Sequence, residues 1–309
     1  MKVLIALFVV VLVDVVASDC PSTICNSMKW ARCDGTPCQC TLQLSDTVKQ
    51  PLDCEKLVPK CFLMKAEMYR ARNGLSTRSI GGKPVETAFV DNDGIYDPDC
   101  DANGKFRNRQ CNNTEVCWCV NSAGVRRSDK GDNTLTCEPA DTYWVRLEMK
   151  HKEVPLALDS TKLKTGIQNA LLERYKLEKE RVTDVKYDKD SRLIVVDVQK
   201  EKGQPLPDLA LMSYYMEKDI KALPLFADDK KTFELSVEGS KVSMENILVY
   251  YVDDKAPTFT MQKLTGGIIA VIVVVSLIVL AGLLVLFLLA RRQKAQYSKA
   301  QPREMETMS

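Results

Sequence analysis

Three cysteines fall within nine residues in CNNTEVCWC, Cys111 to Cys119, and two of them flank Trp118. Thiols so closely spaced suit three chemistries: ligation of a soft metal such as zinc, dithiol redox exchange, or covalent cross-linking. A zinc centre built on Cys111, Cys117 and Cys119 calls for histidine or further thiolates at ligand spacing, and the chain's one histidine, His151, is remote in sequence. His151 lies in the charged stretch KHKE, which predicts a solvated side chain at the end of a strand. No GxSxG, HExxH or phosphate-loop pattern occurs, so neither a catalytic centre nor a cofactor site is expected.

Which chemistry the cysteines perform depends on the compartment they occupy, and the ends of the chain bear on that. The start, MKVLIALFVVVLVDVVAS, combines Lys2, an apolar run from Val3 to Val13 and small residues at Ala17 and Ser18, the pattern of a secretory signal peptide over residues 1–18. Near the other end no charge occurs from Leu264 to Ala290. As a helix that run reaches roughly 40 Å, enough to cross a hydrocarbon core of about 30 Å with some tilt. Arg291, Arg292 and Lys294 follow at once as a stop-transfer cluster, and positive charge favours the cytosolic side. The expectation is a single-pass type I membrane protein with a cytoplasmic tail over residues 291–309.

All 12 cysteines lie between Cys20 and Cys137, in the part expected to be exported. An even count in an oxidising compartment points to paired disulfides, with no thiol left as a nucleophile. The net charge of +2 implies no polyanionic partner, nucleic acid included.

Three exported units follow from composition. Residues 19–60 form a disulfide-rich cap too short to bury a core unaided, and residues 61–137 carry six further cysteines among turn-rich segments. Residues 138–260 are free of cysteine and long enough for a core of their own. In this last unit Tyr143–Lys150 alternates as a strand, and Leu163, Ile167, Ala170, Leu171 and Tyr175 recur at helical spacing after a candidate N-cap at Asp159 or Ser160. Val182–Gln199 reads as a hairpin turning near Lys189-Asp190-Ser191, Leu206–Lys221 as a second amphipathic helix, and Lys231–Val237 and Glu245–Asp254 as strands. The order β-α-β-β-α-β-β predicts an α+β domain with both helices on one face of a sheet.

Beyond this reading, the stretch from Tyr96 to Asp132 resembles the thyroglobulin type-1 repeat, whose marks are here Gln110, Cys111, Cys117, Trp118, Cys119, Val120 and Gly124. Further blocks, among them KCFLMKAEM, DNDGIYDPDCD, VNSAGVRR, YYVDDKAP and GGIIAVIVVV, are similar to the epithelial cell adhesion molecule (EpCAM) family. The resemblance implies a cap, a thyroglobulin type-1 domain, a cysteine-free α+β domain and a single transmembrane helix. It also implies the pairs Cys20–Cys38, Cys25–Cys54, Cys33–Cys40, Cys61–Cys100, Cys111–Cys117 and Cys119–Cys137.

Functionally, the resemblance implies a non-enzymatic glycoprotein of epithelial plasma membranes, at lateral membranes and cell junctions, that serves cell-cell adhesion and signalling. Such proteins form lateral dimers, count claudins among their proposed partners, and release the cytoplasmic tail by regulated proteolysis. The family's glycan position falls on Asn112 of the sequon Asn112-Asn113-Thr114. The loop from Ala71 to Val90 is either an interface or an idle surface segment. Together with Arg70 just before it, the loop's Arg72 and Arg78 offer basic residues for a protease nick, placed after Arg78. Trp118 reads either as core or as a partner contact. Two other functions stay open: a membrane-tethered inhibitor of cysteine proteases acting through the thyroglobulin repeat, and a receptor for a soluble ligand.

Overall fold

The computed structural model describes residues 20, 25–75, 96–154, 158–221, 224–228, 231–259 and 266–306. The signal segment, Arg78 and most of the Ala71–Val90 loop lie outside these residues. Residues up to Thr258 make one compact unit, and Phe259–Ser309 a second.

The cap is a small antiparallel sheet of β1 (Arg32–Asp34), β2 (Gln39–Gln43) and β3 (Lys49–Pro51). Helix α1 (Lys60–Arg72) follows, then a two-stranded ribbon of β4 (Arg109–Gln110) and β5 (Trp118–Cys119). The cysteine-free region contains β6 (Thr142–His151), α2 (Ser160–Tyr175), β7 (Val182–Asp188), β8 (Leu193–Gln199), α3 (Leu209–Lys221), β9 (Glu234–Val237) and β10 (Ser240–Asp253). Helix α4 (Gly266–Glu306) forms the second unit.

The large sheet has strand order β7-β8-β6-β10-β9, and every neighbouring pair is antiparallel. Alternation decides its faces, with a register shift between Met244 and Asn246 that changes the phase of β10. Val145, Leu147 and Met149 of β6, Ile194, Val196 and Val198 of β8, and Val242 and Ile247 of β10 are buried in the core with Leu163, Ile167 and Leu171 of α2 and Met212 and Met216 of α3. Helix α2 starts where the Asp159 carboxylate accepts the Lys162 N–H at 2.9 Å, so Asp159 is the N-cap. It ends at Lys176 in the left-handed conformation, with the Lys176 N–H on the Leu172 carbonyl and the Leu177 N–H on the Leu171 carbonyl. Gly166 in mid-helix costs helix propensity, but a Cβ there would stand 2.6 Å from the Ser236 carbonyl oxygen of β9. Its absence permits α2 to settle on the sheet.

The core does not stop at the cysteine-free region. Met28, Leu42, Leu44, Val58, Phe62 and Leu63 belong to the same buried cluster. The Tyr215 hydroxyl on α3 donates to the Ser27 carbonyl at 2.9 Å and accepts from the Val58 N–H at 3.1 Å. Cap, α1 and sheet are thus welded through one helix. The ribbon region has a smaller core of its own: Cys61, Tyr96, Phe106, Trp118 and Val120.

Helix α4 continues beyond the apolar run, through Arg291, Arg292 and Lys294, to Glu306. Its stretch Ala270–Arg292 is long and apolar enough to cross a membrane, with its side chains exposed.

Candidate interaction surface

The cysteines are all joined: Cys20 to Cys38, Cys25 to Cys54, Cys33 to Cys40, Cys61 to Cys100, Cys111 to Cys117, and Cys119 to Cys137. Cys25, Cys40 and Cys54 have sulfurs within 4.8 Å of one another, a spacing that would suit a metal. Each is committed to a disulfide, so none offers the thiolate that zinc requires.

Around Cys111–Cys117 and Cys119–Cys137 the neighbouring residues have definite structural work. Gln110 is fully buried; its Oε1 accepts the Asp99 N–H at 2.7 Å, while its Nε2 donates to the Asp99 and Arg107 carbonyls at 2.9 and 2.7 Å. An amide side chain is needed because it must accept and donate at one point. Trp118 is core, edge-on to Tyr96 with ring centroids 5.3 Å apart, and this settles its reading against a partner contact. Gly124 has φ +78°, and a Cβ there would meet the Phe106 ring at 2.6 Å.

His151 corrects the sequence reading. It is 1% exposed, with Nδ1 at 2.6 Å from the Lys152 carbonyl oxygen and Nε2 at 3.1 Å from the Tyr187 hydroxyl. The charged neighbours conceal its register: it is the next inward position after Val145, Leu147 and Met149. Its ring also packs on Tyr187, with ring centroids 5.7 Å apart.

Other buried polar groups also close on themselves. Asp219 accepts two bonds from Arg174 and one from the Tyr175 hydroxyl. Burial, then the Asp219 charge, pushes the Tyr175 phenol well above its ordinary range. Such a phenol stays protonated and donates; it is a fastening between α2 and α3.

The face of the large sheet opposite the helices is different. Here β6 presents Trp144, Arg146, Glu148 and Lys150, paired across β8 with Gln199, Asp197, Val195 and Leu193 and across β10 with Val252, Tyr250, Leu248 and Asn246. Leu248 is 42% exposed and Tyr250 47%. Arg146 makes a bidentate pair with Asp197 at 2.8 and 2.9 Å, and the Trp144 indole N–H donates to the same carboxylate at 3.0 Å. That arginine holds the Asp197 carboxyl below its ordinary range. The guanidinium also lies 5.3 Å from the Trp144 ring centre. The result places Trp144, Arg146 and Tyr250 side by side on one sheet face, residue types that protein interfaces favour.

Arg70 and Arg72, grouped with the loop on sequence, stand in the last turn of α1. Arg72 binds Asp97 at 2.7 Å and Arg70 lies 4.8 Å from the Trp30 ring centre. Both are therefore held on a helix and lack the extended backbone a trypsin-like protease needs; Arg78 lies outside the described residues. Asn112 is exposed at a left-handed turn with φ 47°, its Oδ1 accepting the Asp97 N–H at 3.1 Å. Arg291 and Arg292 lie at the end of the apolar stretch of α4, and Lys294 in the helix just after it.

Comparison with known proteins accords with this architecture. Residues 142–253 match the profile described as EPCAM/Trop-2, C-terminal, and residues 76–137 match the thyroglobulin type-1 repeat. The chain is 46% identical to the epithelial cell adhesion molecule of Mus musculus over 274 residues, covering 87% of this chain and 83% of that protein. It is 42% identical to the Homo sapiens epithelial cell adhesion molecule, covering 76% and 72% of the two chains. With tumor-associated calcium signal transducer 2 of Homo sapiens it shares 38% identity over 88% of this chain and 82% of that one. These relatives are named for adhesion and signal transduction, and the apolar stretch of α4 marks a single-pass membrane protein. The chain belongs to the EpCAM/Trop-2 family.

Proposed function

We propose that this protein is a type I cell-surface glycoprotein that joins epithelial cells and signals, acting by lateral self-association rather than catalysis. The single observation that carries this reading is the pair of exposed apolar residues, Leu248 and Tyr250, beside half-buried Trp144 on the outer sheet face. The helices pack on the opposite face, and among the described residues Leu248 and Tyr250 stay exposed on this one. Its occupant is a second copy, through the loop between Ala71 and Val90 of the partner's thyroglobulin-type domain. Junctional claudins, glycosylation at Asn112, a nick after Arg78 and release of the tail from the membrane belong to the same reading.

The decisive experiment pairs Leu248→Ser with Tyr250→Ala, both on the exposed face. Chemical cross-linking on intact cells should capture dimers of the native protein and lose at least nine-tenths of them in the double variant, with thermal stability unchanged. Equal cross-linking of both proteins would remove the sheet face from the interface.

A further inference from the structure

Beyond β10 the chain does not leave the molecule at once. The Arg127 guanidinium, in a residue only 6% exposed, donates to two successive carbonyls, Lys255 at 3.0 Å and Ala256 at 2.6 Å. The Arg127 carbonyl in turn accepts the Thr258 N–H at 2.8 Å, and Ser128 and Thr258 form an isolated parallel bridge. Residues 255–258 thus lie as an extended strap on the thyroglobulin-type region, immediately before the segment that leads to α4.

The strap is held in an unusual way. Residues 255–258 are all exposed, so little apolar burial fastens them. Their ties include hydrogen bonds with one arginine, the Thr258 hydroxyl donating to the Arg127 carbonyl at 3.5 Å among them, and a surface pair, Lys255 with Glu138 at 3.4 Å. One residue earlier the restraints change in kind. The Asp254 N–H donates to the Asp141 carbonyl and the Asp254 carboxylate accepts the Asp141 N–H, both at 2.9 Å. Asp253 accepts from Asn121 and Thr142 at 2.8 and 2.9 Å, and β10 behind it pairs with β6 over nine register positions.

Local opening begins where buried contacts are fewest. We propose that Arg127 is a latch on the membrane-proximal segment: closed, it straps residues 255–258 to the thyroglobulin-type region, and it opens before the sheet does. Opening frees four residues and lengthens the tether by about 14 Å at full extension. It also uncovers the Lys255–Ala256 peptide, whose carbonyl oxygen the latch occupies when closed.

Two measurements on the full-length, disulfide-intact protein in detergent test this. In hydrogen exchange of the native chain, peptides covering residues 255–259 should exchange at least tenfold faster than those of β10. Exchange as slow as β10 overturns the latch. In limited trypsin digestion, Arg127→Gln should raise cleavage after Lys255 at least tenfold, Arg127→Lys should give an intermediate rate, and cleavage after Lys189 in the β7–β8 turn should stay constant. An unchanged rate at Lys255, or a parallel rise at Lys189, overturns the role of Arg127.

Discussion

The thyroglobulin-type region and the cysteine-free sheet region solve the same problem by opposite means. The first has a core of five residues, Cys61, Tyr96, Phe106, Trp118 and Val120, and three cross-links over sequence separations of 39, 6 and 18 residues. Loops of such sizes give disulfides worth on the order of 2 to 4 kcal/mol each, because they restrict the unfolded chain. The second has no cross-link and relies on a layer of two helices over five strands. Restricting the unfolded state suits a region built from turns. Burying apolar area suits one with regular periodicity.

Reduction is the sharpest way to break this contrast. With a strong reductant, amides of residues 96–137 should lose exchange protection while those of β6 and β8 keep theirs; simultaneous loss would mean the two regions fold as one unit. Next in size, Leu147→Ala should destabilise by about 3 kcal/mol by leaving a cavity in the core between sheet and helices, read as a lowered urea midpoint with all six disulfides intact. The smallest effect concerns the outer face. Asp197→Asn should cost about 1 to 2 kcal/mol at neutral pH. The Asp197 carboxyl is lowered from 3.8 by Arg146, so its contribution is complete above that value and is lost as the pH falls through the lowered one. Denaturant titrations of the two proteins should therefore converge in strong acid; a gap that stays constant with pH would mean the ion pair contributes nothing.

The sheet region was the more legible half. Alternation in Thr142–His151 and helical spacing in Ser160–Tyr175 are local signals, and the order β-α-β-β-α-β-β follows from them. Strand neighbours are not local: that β6 lies between β8 and β10 depends on packing no window contains. Helix α1 shows little periodicity because it packs on two cores, Phe62, Leu63 and Ala66 on one and Cys61 on the other, so its last turn, with Arg72, reads as the start of the loop. The charged neighbours of His151 mask an inward position that the alternation of β6 dictates. On the candidate face, Trp144 and Tyr250 are unremarkable in sequence; their register across β6 and β10 makes them neighbours of Arg146.

Tyr215 carries a consequence for biogenesis. Its hydroxyl reaches Ser27, 188 residues back along the chain. At roughly 5 to 20 residues per second, the ribosome needs on the order of 10 to 40 seconds to traverse such an interval. For that time the nascent amino-terminal module waits with Met28 and Leu42 lacking the surface that will cover them. Helix α3 is the late-arriving half of their shelter, so a stall or truncation upstream of it would leave a sticky, chaperone-dependent fragment.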